Sequence, residues 1–293
     1  MTAVVVIGDA LLDVVAATAG RAAHGGDTPA TISLEPGGQG ANLAVRLARR
    51  GVGVRLVCAL GTDMPGAILR ERLLAEGVIL DAATVPATGS VVVLVEGDGE
   101  RTMLSQRVPV SIAAHDPPAA WTVVSGYCLL EPDALRQVAV IAEQPGRRAV
   151  IGCDVPPPLV EDWSAALQAT RPDLLVLNAE EAAALAPSAS DPLEHAAQLS
   201  AGLSAVVVVT DSGGAVAAIG PETVAHRAEP AAAVTDTTGA GDAFAAALIA
   251  ELLDDAPWPP QPDRVSDALA EATRLARAVA RTRGAQARVE GER

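Results

Sequence analysis

Asp236-Thr237-Thr238-Gly239-Ala240-Gly241-Asp242-Ala243-Phe244-Ala245-Ala246-Ala247-Leu248 is the stretch on which the reading of this chain turns. Gly239 and Gly241 let backbone amides approach an anion closely. The Ala/Leu run behind them starts a helix whose positive N-terminal end points at the same spot. Such a cradle needs no lysine. Asp242 inside it would repel a phosphate unless it takes a proton from an attacking group beside it; the plainer alternative is that Asp242 caps the helix. A dinucleotide fingerprint fits less well, because Phe244 stands at the third glycine position of G-x-G-x-x-G and the stretch lies near the C-terminus.

Outward from this stretch, short β-branched runs alternate with Ala/Leu-rich stretches at helical spacing, which predicts parallel strands joined by crossover helices. Strands are expected at 3–7, 55–59, 149–153, 173–177 and 205–210, and helices at 41–50, 64–76, 132–143, 179–185, 194–201, 239–253 and 264–282. Residues 90–95 and 101–106 flank Glu96-Gly97-Asp98-Gly99-Glu100 and read as a hairpin. With the irregular 20–33 segment, this hairpin predicts a small β-sheet against the α/β body, or else a surface excursion without consequence. Ala256-Pro257-Trp258-Pro259-Pro260 reads as a rigid loop, and the tail after Gly284 is short and polar.

The 293 residues are 50% hydrophobic, enough for one large α/β domain or two small ones. With 21 basic residues against 36 acidic ones, the net charge of −15 argues against nucleic acid as a partner. All 21 basic residues are arginine, so a Walker A lysine, a protein-kinase strand lysine and a lysine Schiff base are excluded. Cys58, Cys128 and Cys153 lie far apart with no C-x-x-C, which suggests neither a zinc ribbon nor a disulfide framework. No apolar run approaches membrane-span length and the start lacks signal-peptide features, so a soluble cytoplasmic protein with no membrane partner is expected. His24, His115, His195 and His226 lack paired spacing and are expected on the surface or in loops.

Two further stretches carry chemistry. In Gly37-Gly38-Gln39-Gly40-Ala41-Asn42 the glycines admit a ligand to the main chain, and Asn42 can donate to and accept from a hydroxyl. Arg46, Arg49 and Arg50 behind it read as a solvated helix face. Gly8-Asp9-Ala10-Leu11-Leu12-Asp13 directly follows the first strand, at the edge where open α/β sheets bind ligands. A carboxylate there can hold two sugar hydroxyls, or Asp9 and Asp13 are simple turn residues.

Together, in this order, G-D-x-x-x-D, G-G-x-G-x-N-x-A and D-T-x-G-A-G-D resemble the ribokinase-like carbohydrate kinases, the phosphofructokinase-B (PfkB) family, from Val4 to about Gln286. The resemblance implies an α/β fold with a three-layer domain over 1–293, a central mostly parallel sheet between helices and a small β-sheet lid from segments near 14–34 and 88–108. It implies ATP-dependent phosphorylation of a primary hydroxyl on a small sugar, as in ribokinases and fructokinases. Asp242 falls on the family's catalytic base and Gly239, Ala240 and Gly241 on its anion hole. Asp13, Gly38, Gln39, Asn42 and Glu131 fall on substrate positions. Asn178, Thr210, Gly213, Gly239 and Gly241 fall on ATP positions. Glu181 falls on a residue that orders Mg²⁺ through water, while Asn178 and Glu181 alone would be an ordinary helix start. Asp236 and Thr238 match a monovalent-cation site, with K⁺ the candidate ion. Family members of this kind are often homodimers that pair their lids.

The chain departs from ribokinases at Leu11, where asparagine is common, and at Gln39, where lysine is common, so ribose is not implied. Thr210-Asp211-Ser212-Gly213-Gly214-Ala215 replaces the usual T-x-G-x-x-G and leaves the nucleotide loop's register open by about a residue. The alternatives are a nucleoside kinase, such as a pseudouridine or adenosine kinase, of which the five aromatics disfavour adenosine kinase but not one for a nucleoside such as pseudouridine, and a sugar- or nucleotide-sensing module, which would need no base at Asp242.

Overall fold

The computed structural model describes residues 2–98, 100–111, 119–228, 234–253, 257–290 and 292. Val4–Ile7 forms β1, four apolar residues buried on both sides. Val4 and Val6 face one core and Val5 and Ile7 the other, the period-two signature of a central strand covered by helices on both faces.

Nine strands build the large sheet: β1, β4 (Val54–Gly61), β5 (Ile79–Val85), β8 (Trp121–Ser125), β9 (Arg147–Ile151), β10 (Leu174–Asn178), β11 (Val206–Asp211), β12 (Gly214–Ile219) and β13 (Glu222–Arg227). Their order is β13-β12-β11-β10-β9-β8-β1-β4-β5. Every pairing from β11 to β5 is parallel, and at the other edge β12 runs antiparallel to both β11 and β13. Because the chain leaves β1 toward β4 on one side and returns to β8 on the other, the loop after β1 opens into a crevice at the carboxyl ends of the strands. Helices α1 (Gln39–Arg49), α2 (Met64–Ala75), α8 (Ala240–Leu252) and α9 (Pro262–Ala280) cover one face. The other is covered by α3 (Gly126–Leu129), α4 (Ala134–Glu143), α5 (Val160–Thr170), α6 (Ala179–Leu185) and α7 (Pro192–Leu203).

The expected small sheet is present, in the order β3-β2-β6-β7. Its strands are β2 (Leu11–Thr18), β3 (Ala30–Gly37), β6 (Ser90–Val95) and β7 (Arg101–Gln106). Regular structure there begins earlier and ends later than the expected 14–34 segment, because β2 and β3 pair along their whole length from Leu11↔Gly37 to Thr18↔Ala30. Gly99 of the hairpin connection, Ala256 of the proline-rich loop and His115 lie outside the described residues.

Two expectations are corrected by the packing. Arg46 and Arg49 are not on a solvated face: they are 0% and 5% exposed, and the polar tail folds back to meet them. Arg46 donates to both carboxylate oxygens of Glu292, at 2.7 and 2.8 Å, and to the Ala285 carbonyl at 2.6 Å. Arg49 pairs with Glu76 and Glu292. His195, expected at the surface, is 7% exposed on α7.

Candidate active site

Gly239 holds the N-cap of α8 at φ 75, and a Cβ there would lie 2.8 Å from the Ala285 backbone, so two constraints require glycine. Asp242 lies in the first turn, but no side chain caps this helix, which removes the capping alternative. Its Oδ2 instead accepts a hydrogen bond from Asn42 Nδ2 at 2.8 Å, and Asn42 Oδ1 accepts one from Gln286 Nε2 at 3.0 Å. Burial pushes the Asp242 carboxyl up to about 7 against the lowering bond from Asn42. The Ala240 amide donates to the Thr237 carbonyl at 3.1 Å, so it is engaged within the turn, whereas Gly239 and Gly241 line the adjoining cavity.

That cavity, about 670 Å³, lies at the carboxyl ends of β9, β10 and β11. Asp154, Glu180, Glu181 and Asp242 line it, with no arginine among its described lining residues. Asn178 and Glu181 form a reciprocal helix cap: Asn178 Oδ1 accepts from the Glu181 amide and Glu181 Oε2 from the Asn178 amide, each at 2.8 Å. The pair is thus a helix start with a capping box, and both residues also line the cavity. Burial raises Glu181 to about 7, Asp154 and Glu180 add to the rise, and the Asn178 amide opposes it. Among the described residues no cluster of three or more His, Cys, Asp or Glu forms a closed metal cage. A Mg²⁺ ion held here would therefore have to keep most of its waters and take oxygens from phosphates.

Gln39 also lines this cavity, but its amide is committed to protein: it donates to the Gly152 carbonyl at 2.7 Å and accepts from Ser125 Oγ at 2.6 Å, tying β8 to β9. Thr210 lines the large cavity and a smaller one of about 160 Å³. Ser212 and Gly214 line the smaller one in place of the expected Gly213, whose amide is turned back to Asp211 Oδ1 at 2.7 Å in the tight β11–β12 turn. Thr273 lines it too, with a buried hydroxyl that has no hydrogen-bond partner among the described residues.

Asp13 does not share the large cavity with Asp242. It lines a second space of about 400 Å³ beneath the small sheet, with Glu35, Arg101, Asp236 and Thr238. The 236–239 turn separates the two: Asp236 and Thr238 face the second, Thr237 and Gly239 the first. Burial raises Asp13 to about 6, Glu35 and Asp9 push the same way, and Arg107 opposes them. Glu131, Gly38 and Asn42 line neither space. Gly38 instead shapes the loop before α1, at φ 93 with no room for a Cβ against the Asp9 carbonyl. Asp9 is a buried anchor rather than an open turn residue, paired with Arg107, which stacks 3.6 Å from the Tyr127 ring centroid. Asp236 and Thr238, expected at a monovalent cation, hydrogen-bond to the Arg101 guanidinium. Arg101, Arg107, Gln286 and Thr273 were not singled out in the sequence, since none belongs to a glycine motif.

The chain matches the pfkB family carbohydrate kinase pattern over residues 1–291. It is 30% identical to a fructokinase of Klebsiella pneumoniae, over 84% of this chain and 83% of that one. It is 29% identical to a ribokinase of Mus musculus, over 84% and 80%. Among solved structures, a putative ribokinase II from E. coli superposes with a TM-score of 0.81 at 22% identity, covering 100% of this chain and 96% of the other. The fold is thus the ribokinase-like one, and with its two glycine motifs meeting at Asn42 and Asp242 the chain belongs to the pfkB family of carbohydrate kinases.

Proposed function

We propose that this kinase transfers the γ-phosphoryl group of ATP to a primary hydroxyl of a small sugar, with Asp242 as the base, residues 1–293 acting as one kinase unit and the small sheet as its lid. The observation that carries the reading is Asp242 in the first turn of α8, held by Asn42 and pushed up to about 7, the value at which a carboxylate can accept a proton near neutrality. The carboxylate takes the hydroxyl proton as that oxygen bonds to the γ-phosphorus. The bond from phosphorus to the β–γ bridging oxygen breaks, and its electron pair leaves with ADP. Charge on the transferring group is met by the Gly239 and Gly241 amides and the N-terminal end of α8.

ATP in this reading lies along Asn178 and Thr210 with its far end at Ser212, Gly214 and Thr273. Glu181, with Asn178 beside it, would hold Mg²⁺ through water, and the ion when bound offsets phosphate charge. K⁺, if bound at Asp236 and Thr238, would share that place with the Arg101 guanidinium. The sugar approaches from the side of Asp13, Gly38 and Asn42. A nucleoside is disfavoured because aromatic rings at the site are few: Phe244 is 3% exposed, and Tyr127, which lines the large cavity, already has Arg107 stacked on its ring.

We further propose a cytoplasmic homodimer joined through the lids, the three cysteines being free and buried. Leu34, Val14, Val92 and Leu104 stand side by side in one cross-strand row of the small sheet, with Leu34 and Leu104 at 50% and 67% exposure. An apolar row of this kind on an uncovered sheet calls for a partner surface. Among the described residues no helix is long and apolar enough to cross a membrane. The test is an ADP-release screen of sugars and nucleosides with Mg-ATP. Turnover of a free sugar supports the proposal, and turnover of nucleosides alone, or of nothing, overturns it.

A further inference from the structure

Among the described residues, strand β7 is the outer edge of the small sheet, pairs there only with β6, and is exposed at all six positions. Little apolar packing fixes it to the body of the protein. It is instead bracketed by two arginines, Arg101 at its start and Arg107 just beyond its end. Each reaches a different glycine-motif loop. Arg107 pairs with Asp9, which in turn accepts the Gly40 amide at 3.3 Å. Arg101 crosses to the other motif, with Nη2 donating to Asp236 Oδ1 at 2.8 Å and Nη1 to Thr238 Oγ1 at 2.7 Å.

A single half-exposed ion pair contributes little to stability. The Arg101 contact differs because one planar group binds two residues of one turn, and because Asp236 is already the turn's organiser. The same carboxylate accepts the Thr238 amide at 2.9 Å and, from the C-terminal side, the Gly284 amide at 3.0 Å. The turn leads directly into Gly239 and α8. We propose that Arg101 is a positioning residue: docked on Asp236 and Thr238, it links the lid sheet to the turn that aims the Gly239 and Gly241 amides, so that the anion hole is set only with the lid edge in place. This rests on the kinase reading above for its effect on rate, but not for its effect on the turn.

The experiment compares wild type with Arg101→Ala and Arg101→Lys in two readouts. The first is amide hydrogen exchange across 237–241 in the ligand-free protein, with Tm measured alongside. The second is kcat and KM for sugar phosphorylation, with and without millimolar guanidinium. For Arg101→Ala the expected result is at least threefold faster exchange in the turn at an unchanged Tm, and about a tenfold lower kcat that guanidinium partly restores. Arg101→Lys should fall between the two, since a point charge cannot bridge both partners. Unchanged exchange in the turn overturns the proposal whatever the rates are. A loss of kcat that follows a fall in Tm and ignores guanidinium also overturns it. If wild type turns over no sugar while exchange still quickens in Arg101→Ala, the latch stands and the sugar-kinase reading fails.

Discussion

Asn42 donates its side-chain N–H to the Asp242 carboxylate at 2.8 Å across 200 positions of chain, joining the first turns of α1 and α8. The bond favours the ionised carboxylate and so works against burial, which raises Asp242 to about 7. Asn42→Leu removes the lowering contribution and leaves the burial. The ionised base is then reached only at higher pH, so the rising limb of kcat/KM should move upward, with a larger loss at pH 6 than at pH 8.5. Profiles from pH 5.5 to 9 check this, and coincident limbs would rule the coupling out.

Asp242→Asn removes the basic oxygen and should lower kcat by about 10²- to 10⁴-fold. It should also stabilise the fold. A carboxyl whose folded pKa is raised to about 7 from 3.8 binds its proton more tightly folded than unfolded. Stability from this group is therefore full at low pH, declines as pH rises between those two values, and stays lowered above 7. The variant should have a higher Tm than wild type at pH 8, with the gap closing toward pH 4. Equal Tm at both pH values would mean that the carboxyl is not destabilising where it sits.

The parts legible in the sequence were those with a local cause. The β1 run of valines, the helix start after Asn178 and the two glycine turns each follow from a few adjacent residues. β12, Gly214-Ala215-Val216-Ala217-Ala218-Ile219, was not expected, because an alanine-rich run carries little strand signal; pairing with β11 and β13 on both sides decides its conformation. β8 is five residues long and takes its conformation from β1 and β9. In the site, Asp242 and Asn42 were readable as members of motifs. Arg101 and Gln286 were not, since each acts on a partner more than a hundred positions away. The same distance explains the error at Arg46 and Arg49. Their spacing on α1 suits a solvated face, and only the returning tail buries them.

Glu181→Gln keeps the shape of the helix cap but removes a carboxylate from the large cavity. If Glu181 holds Mg²⁺ through water, the Mg²⁺ concentration for half-maximal rate should rise several-fold, with the sugar KM nearly constant. A Mg²⁺ titration at fixed ATP tests it, and an unchanged midpoint would leave Glu181 only its cap role.

Val92→Asp places a charge in the centre of the exposed Leu34–Val14–Val92–Leu104 row without touching either cavity. If the lids pair, the variant should be monomeric by light scattering at micromolar concentration where wild type is dimeric. A monomeric wild type would end the proposal of a lid-paired dimer.

The buried Arg46–Glu292 pair should matter for both stability and rate. The two side chains are 0% and 1% exposed and Arg46 Nη1 reaches both Glu292 oxygens, so removing one partner leaves an uncompensated buried charge, which costs about 3–5 kcal/mol. Glu292→Ala should show a loss of that order in denaturant melts, though Arg49 also loses one of its two carboxylate partners. Its effect on rate follows from where the tail runs before Glu292. Gly284 donates to Asp236, Ala285 packs on Gly239, and Gln286 donates to Asn42, which holds Asp242. A loosened tail therefore releases the anion turn and the base together. Gln286→Ala isolates the second path, since it keeps the Arg46 clamp and frees only the Asn42 amide. It should lower kcat with little change in melting. If Glu292→Ala melts early but has wild-type kcat at a temperature where it is fully folded, the tail supports the fold alone and not the geometry of Asp242.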